Sequence, residues 1–180
     1  VRLGDQLAQL GLTPSDIDFV SISHSHFDHV GNAGMFAHAT WLLDADERAW
    51  MFRDEARTSE QFGLIAPIEN APTRALEGDG DTDVFGDGSV TIIQAPGHTP
   101  GHNLLLVRLP NTGPVLLTGD MYHMPESREQ RLVPRFNVNR DQTLASMDRV
   151  DALEAEGARV VRQHVQADFD ALPRFPEALN

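Results

Sequence analysis

His24-Ser25-His26-Phe27-Asp28-His29 places three imidazoles and a carboxylate within six residues. The stretch before it, Asp18-Phe19-Val20-Ser21-Ile22-Ser23, is rich in β-branched and aromatic residues and reads as a strand that ends where the histidines begin. Side chains alternate along an extended backbone, so His24 and His26 point the same way. Asp28 and His29 follow the start of a turn and can face a second point nearby. The chain contains no cysteine, so a metal site here must use nitrogen and oxygen donors, a set that suits zinc, manganese or iron. A solvated His-rich loop would carry the same residues without binding an ion. So many ligands in so short a stretch favour the metal.

Three more candidates stand further along the chain. Pro96-Gly97-His98-Thr99-Pro100-Gly101-His102 is a rigid, glycine-punctuated loop that leaves an expected strand at 90–94. Asp120 follows an apolar strand at 115–118, at the carboxyl end where open sheets place their chemistry. His164 ends an expected strand at 159–163. Each alone is weak, since a lone strand-end Asp or His is more often a cap or a surface residue; together, after the hexapeptide, they form one pattern. Further strands are expected at 40–43 and 103–109. Helices are expected at 3–10, 32–36, 45–52 with Asp44 as cap, 168–172, and from Asn139 or Asp141 to about 156. Residues 53–82 read as a loop or insertion. Strands and helices alternate, which gives an α/β class and a single domain over 1–180.

The chain has 180 residues, 41% of them hydrophobic and 23% charged, enough apolar surface for a core. Fourteen basic against 27 acidic residues give a net charge of −13, which opposes binding to nucleic acid or to anionic membranes. Without cysteine there is neither a disulfide framework nor a thiol nucleophile. The acidic stretch 77–87 aligns Asp79, Asp81 and Asp83, but Gly86 is misplaced for a calcium loop and no Glu closes it, so it reads as a solvated loop. His38 reads as a surface histidine. Trp41, Trp50, Met51, Phe52 and Phe62 read first as core and second as the lining of an apolar pocket.

Taken in order, the hexapeptide, the Pro-Gly-His98 loop, Asp120 and His164 resemble the metallo-β-lactamase superfamily over residues 17–166. The resemblance implies an αβ/βα sandwich. In that fold a pair-of-hairpins segment precedes the His-rich motif, whereas 23 residues precede His24 here and the first is Val1, so part of the N-terminal half is expected to be missing. It also implies two divalent ions, zinc by expectation: one held by His24, His26 and His98, the other by Asp28, His29 and His164, with Asp120 bridging. His102 looks structural, bonded to backbone.

Within the superfamily, the absent cysteine and the bridging carboxylate point away from antibiotic hydrolysis. Residues 118–123, 139–146 and Gln163-His164 are similar to N-acyl-homoserine lactone lactonases, the quorum-quenching branch. There a tyrosine three residues after the bridging Asp contacts the lactone carbonyl; here Tyr122 stands two on and His123 three on, and both are candidates for that role. The implied reaction opens a lactone or related ester with a hydroxide shared by the two ions, while Asp28 passes a proton to the leaving group. A glyoxalase II-like thioesterase is the alternative, weakened because only 16 residues follow His164. A mononuclear iron dioxygenase and a non-catalytic metal-binding fragment are alternatives of another class. The expected partner is a small ester or lactone, with no nucleic acid and no membrane. The residues from Val1 onward show no signal-peptide pattern; the expected compartment is the cytoplasm, and a signal peptide upstream of Val1 is the alternative.

Overall fold

A computed structural model describes residues 2–76 and 80–180, so Asp79 of the acidic stretch lies outside the described residues. The chain divides into two compact units, residues 1–77 and 78–180.

The first unit begins with α1 (Leu3–Gln9), which Gly11 stops at a φ of +73°. After it come β1 (Phe19–Ser21), α2 (Phe27–Val30), β2 (Thr40–Asp44), α3 (Ala45–Met51), α4 (Asp54–Arg57), α5 (Phe62–Ile65) and β3 (Thr73–Leu76). The three strands form a parallel sheet in the order β1-β2-β3, with Val20 opposite Trp41 and Trp41 opposite Thr73. Asp44 both closes β2 and caps α3, accepting the N–H groups of Asp46 and Glu47 at 2.9 and 3.2 Å. Val30, Phe36, Trp41, Leu43, Met51, Ile65 and Ile68 make the core of this unit. The Trp41 indole N–H, buried there, donates to the Phe36 carbonyl at 3.0 Å.

The stretch 53–82 is more ordered than its sequence implies. It carries α4, α5 and β3 rather than an unstructured insertion. Helices of four residues are too short to show a 3.6-residue period. In β3, Thr73-Arg74-Ala75-Leu76, only Leu76 is buried, so no alternation marks it as a strand.

The second unit holds β4 (Thr82–Asp83), β5 (Val90–Gln94), β6 (Asn103–Leu109), β7 (Gly113–Leu117), α6 (Pro125–Glu129), α7 (Arg140–Ala155), β8 (Arg159–Val161) and α8 (Gln166–Asp170). Its sheet runs β4-β5-β6-β7-β8, antiparallel throughout except for the parallel pair β7 and β8. Asn139 caps α7, its side chain accepting from the N–H groups of Asp141 and Gln142. Ile93, Leu104, Leu106 and Leu116 pack with Met147 and Val150 of α7, and with Met121 and Tyr122, into a second core.

Register decides where the loops emerge. Gln94 pairs with Asn103, Leu105 with Leu117, and Leu117 with Val161. The end of β5, the start of β6 and the ends of β7 and β8 therefore lie along one edge of the sheet. Segments 95–102, 118–124 and 162–165 all leave from that edge, and they carry His98, Asp120 and His164.

Leu116 is fully buried in the second core. Leu116→Ala is expected to cost about 2–5 kcal/mol in urea denaturation, whereas Phe169→Ala, at a side chain 60% exposed, should change stability by less than ~0.5 kcal/mol.

Candidate metal centre

In the first unit the chain leaves β1 through Ile22 and Ser23 and delivers His24, fully buried, and His26 with ring nitrogens facing each other: His24 Nε2 lies 2.9 Å from His26 Nδ1. Ser23 Oγ lies 3.1 Å from Nδ1 of both His24 and His29, so one hydroxyl steadies two rings whose centroids are 4.1 Å apart. Asp28, exposed in the first turn of α2, stands 3.7 Å from His29 Nε2. The residue between the first two histidines is held from below: Ser25 donates both its N–H (2.7 Å) and its hydroxyl (2.6 Å) to one oxygen of buried Glu47, on α3. Ser23 and Glu47 carry no motif in the sequence. The only hint of Glu47 is its place in the first turn of a capped helix, where a carboxylate suits the helix dipole.

In the second unit Asp120, only 4% exposed, is met by three imidazoles. His164 Nε2 is 2.9 Å from its Oδ1, while His123 Nε2 and His98 Nε2 are 3.2 and 3.4 Å from its Oδ2. His123 and His164 stack at 5.4 Å with ring planes 8° apart. His102 takes no part as a donor to an ion, because both its nitrogens are engaged by backbone. Its Nδ1–H donates to the Ala95 carbonyl at 3.1 Å, and its Nε2 accepts the Asp120 N–H at 3.0 Å. The structural role expected of it holds, and its action is to aim Asp120. Asn137 Oδ1 lies 3.0 Å from His98 Nδ1, and Phe136 packs edge-on to His98 and His123. Nothing in the sequence marks either residue.

Tyr122 needs correction as a candidate for the carbonyl-contacting group. Its side chain is fully buried among Met121, Met147 and Val150, under the Arg128 guanidinium 5.8 Å from its ring. Its hydroxyl is buried without a hydrogen-bond partner, and burial pushes the phenol up to about 12. The residue beside the carboxylate is His123. A turn at Gly119–Met121, with Asp120 at φ −93° and ψ 25°, gives the apolar ring to the core and the imidazole to the site.

Buried or half-buried imidazoles gathered on carboxylates, without thiolates, form a donor set that fits a borderline divalent cation. Beside His26 in the first unit opens a cavity of about 160 Å³ lined by Phe27, Trp50, Met51, Phe62 and Ile65, with Arg53 at its wall. Trp41 and Phe52, the other aromatic candidates, do not line it; Trp41 belongs to the core. His38 is exposed. No helix among the described residues is long and apolar enough to cross a membrane.

The profile of the metallo-beta-lactamase superfamily matches residues 1–160. The chain belongs to this superfamily. Among superfamily members it is similar to the N-acyl homoserine lactonase AttM of Azorhizobium caulinodans, 34% identical over 182 residues that cover 96% of this chain and 66% of that protein. AttM of Rhizobium radiobacter is 37% identical over 183 residues, covering 97% and 66%. The chain thus spans just under two thirds of the length of these curated relatives. Its metallo-β-lactamase fold matches a solved N-acyl homoserine lactone hydrolase with the product N-hexanoyl-L-homoserine bound at the catalytic metal center. That match has a TM-score of 0.83 and 26% identity, over 99% of this chain and 68% of the other. A quorum-quenching N-acyl homoserine lactone lactonase matches with a TM-score of 0.83 and 26% identity, over 99% and 70%.

Tyr122 yields a test that separates core from site. Its folded-state value lies above the ordinary 10.0 of an exposed phenol, so its contribution to stability is full below about pH 10 and is lost as the pH rises toward 12. Tyr122→Phe should abolish that alkaline loss in denaturation curves and leave stability at neutral pH unchanged or slightly raised, because an unpartnered buried hydroxyl is removed.

Proposed function

We propose that the chain works as one catalytic domain that opens N-acyl-homoserine lactones, or closely related lactones and esters, with two divalent ions, proposed to be zinc, which the donor set fits. The observation that carries this reading is the meeting of three imidazoles on one buried carboxylate, Asp120, at a sheet edge. It gains support from superfamily relatives named N-acyl homoserine lactonase and from the homoserine product held at the metal center of a solved one. The proposed ligands are His24, His26 and His98 for one ion and Asp28, His29 and His164 for the other, with Asp120 shared.

When bound, such ions acidify water at neutral pH and polarise a carbonyl. The remaining tasks fall to the chain. His102 fixes the backbone of Asp120, so the direction of that carboxylate is set before substrate arrives. His123, partly exposed beside Asp120, donates from its ring to the oxygen of the carbonyl as negative charge develops there. Asp28, exposed in the first turn of α2, takes up the proton that the attacking water gives up and hands it to the departing alkoxide. The cavity beside His26, with Phe27, Trp50, Phe62 and Ile65 as apolar wall, receives the acyl chain.

The test is acid release from N-hexanoyl-homoserine lactone by the zinc-loaded chain, followed with a pH indicator beside a thioester and a β-lactam. Lactone opening should vanish with a chelator and return with zinc. Asp120→Ala or His98→Ala should cut kcat/KM by about a thousandfold or more and lower bound metal. His123→Ala should cost ~10²-fold in kcat, and His38→Ala should do neither. Normal turnover with Asp120 or His98 removed would sink the reading, and a preference for the thioester would move it to the thioesterases.

A further inference from the structure

The loop that carries His98 is clamped to the start of α7. Asn139 donates its N–H to the Gly97 carbonyl at 2.9 Å, Val138 donates to the His98 carbonyl at 3.3 Å, and Ser146 Oγ donates to the Pro96 carbonyl at 2.8 Å. The approach is close enough to require glycine: Gly97 sits at a φ of +130°, and a Cβ there would lie 2.3 Å from the Thr143 nitrogen. Inside this clamp the Asn137 amide stands between two partners, with Oδ1 3.0 Å from His98 Nδ1 and Nδ2 3.1 Å from Thr143 Oγ1.

Proton counting orients the whole chain of bonds. The Thr143 hydroxyl has one proton, and it lies 2.7 Å from the Asn139 carbonyl, which can only accept. Thr143 Oγ1 is therefore an acceptor toward Asn137, so the amide turns its nitrogen to Thr143 and its oxygen to His98. An amide oxygen only accepts, so the proton on His98 sits on Nδ1. In the neutral ring Nε2 then carries the lone pair, and it faces Asp120 Oδ2 at 3.4 Å, with both side chains at most 5% exposed. Two acceptors facing each other out of water are unfavourable unless a cation or a second ring proton lies between them.

We propose that Asn137 is a positioning residue that fixes the tautomer and ring orientation of His98, presenting Nε2 as a metal ligand, with the proton order set by the backbone carbonyl of Asn139. This rests on the reading of His98 as a ligand. A hydrogen-bond acceptor on the far nitrogen of a ligating histidine also raises its basicity, and loss of such an acceptor weakens metal binding by about 10- to 100-fold.

The discriminating pair is Asn137→Leu, which removes the acceptor, and Asn137→Asp, which keeps it but loses the bond donated to Thr143. In zinc competition against a chromophoric chelator, Asn137→Leu should bind ~10- to 100-fold more weakly than the wild-type chain, while Asn137→Asp stays within a few-fold of it. Equal zinc binding by Asn137→Leu overturns the proposal, and so does equal weakening in both variants, since that is the mark of a loop brace. Long-range proton–nitrogen spectra of the wild-type imidazoles give a readout that needs no variant at Asn137, with the His98 signals assigned by their loss in His98→Gln. They should show the His98 proton on Nδ1, and a ring protonated on Nε2 alone overturns the proposal. A wild-type chain that takes up no zinc overturns the ligand reading as well, whereas failure in Asn137→Leu alone leaves that reading standing.

Discussion

A carboxylate buried to the degree of Asp120 is tolerated only if its surroundings offset the lost hydration, which costs several kcal/mol for an ionised group. The edge of the second sheet is arranged around that requirement. Because β7 and β8 are parallel while β5 and β6 form antiparallel pairs, three loops from distant parts of the sequence emerge side by side. Each brings an imidazole or the carboxylate itself. A fourth ring, that of His102, is committed entirely to backbone, holding the Asp120 amide to the Ala95 carbonyl through its two nitrogens. The site is thus a property of strand order first and of side-chain chemistry second.

Much of this is legible in the order of the residues alone. The hexapeptide from His24 to His29, the loop around His98 and the strand-end positions of Asp120 and His164 announce themselves by residue type and spacing. So do the long elements: β5 and β6 by apolar runs, α3 and α7 by caps at Asp44 and Asn139. What stays hidden lacks such signals. β3 buries one residue of its four, and α4 and α5 span barely one turn each, too little for a helical period to repeat. Glu47, Ser23 and Asn137 each act through a pair of hydrogen bonds made possible by the fold, and a lone Glu, Ser or Asn has no pattern to read.

Tyr122 and His123 show how a local turn settles what spacing leaves open. Adjacent residues on opposite sides of a chain cannot both face one point. The tight turn before them gives the larger apolar ring to the core, where Arg128, bound to Asp151 and Glu154, covers it. The imidazole is left beside Asp120. A hydroxyl without a partner is the residual cost on the buried side.

The cavity of the first unit takes most of its wall from Trp50 to Ile65, a stretch of very short helices that supplies none of the proposed ligands. Most of the wall therefore sits on a length of chain apart from the ligands, and only the part from Ser25 to Val30 is shared with them. Drift in this stretch can widen, narrow or re-line the cavity without disturbing the histidines. A lineage could explore new substrate shapes there by small neutral steps while its chemistry stays under strict selection.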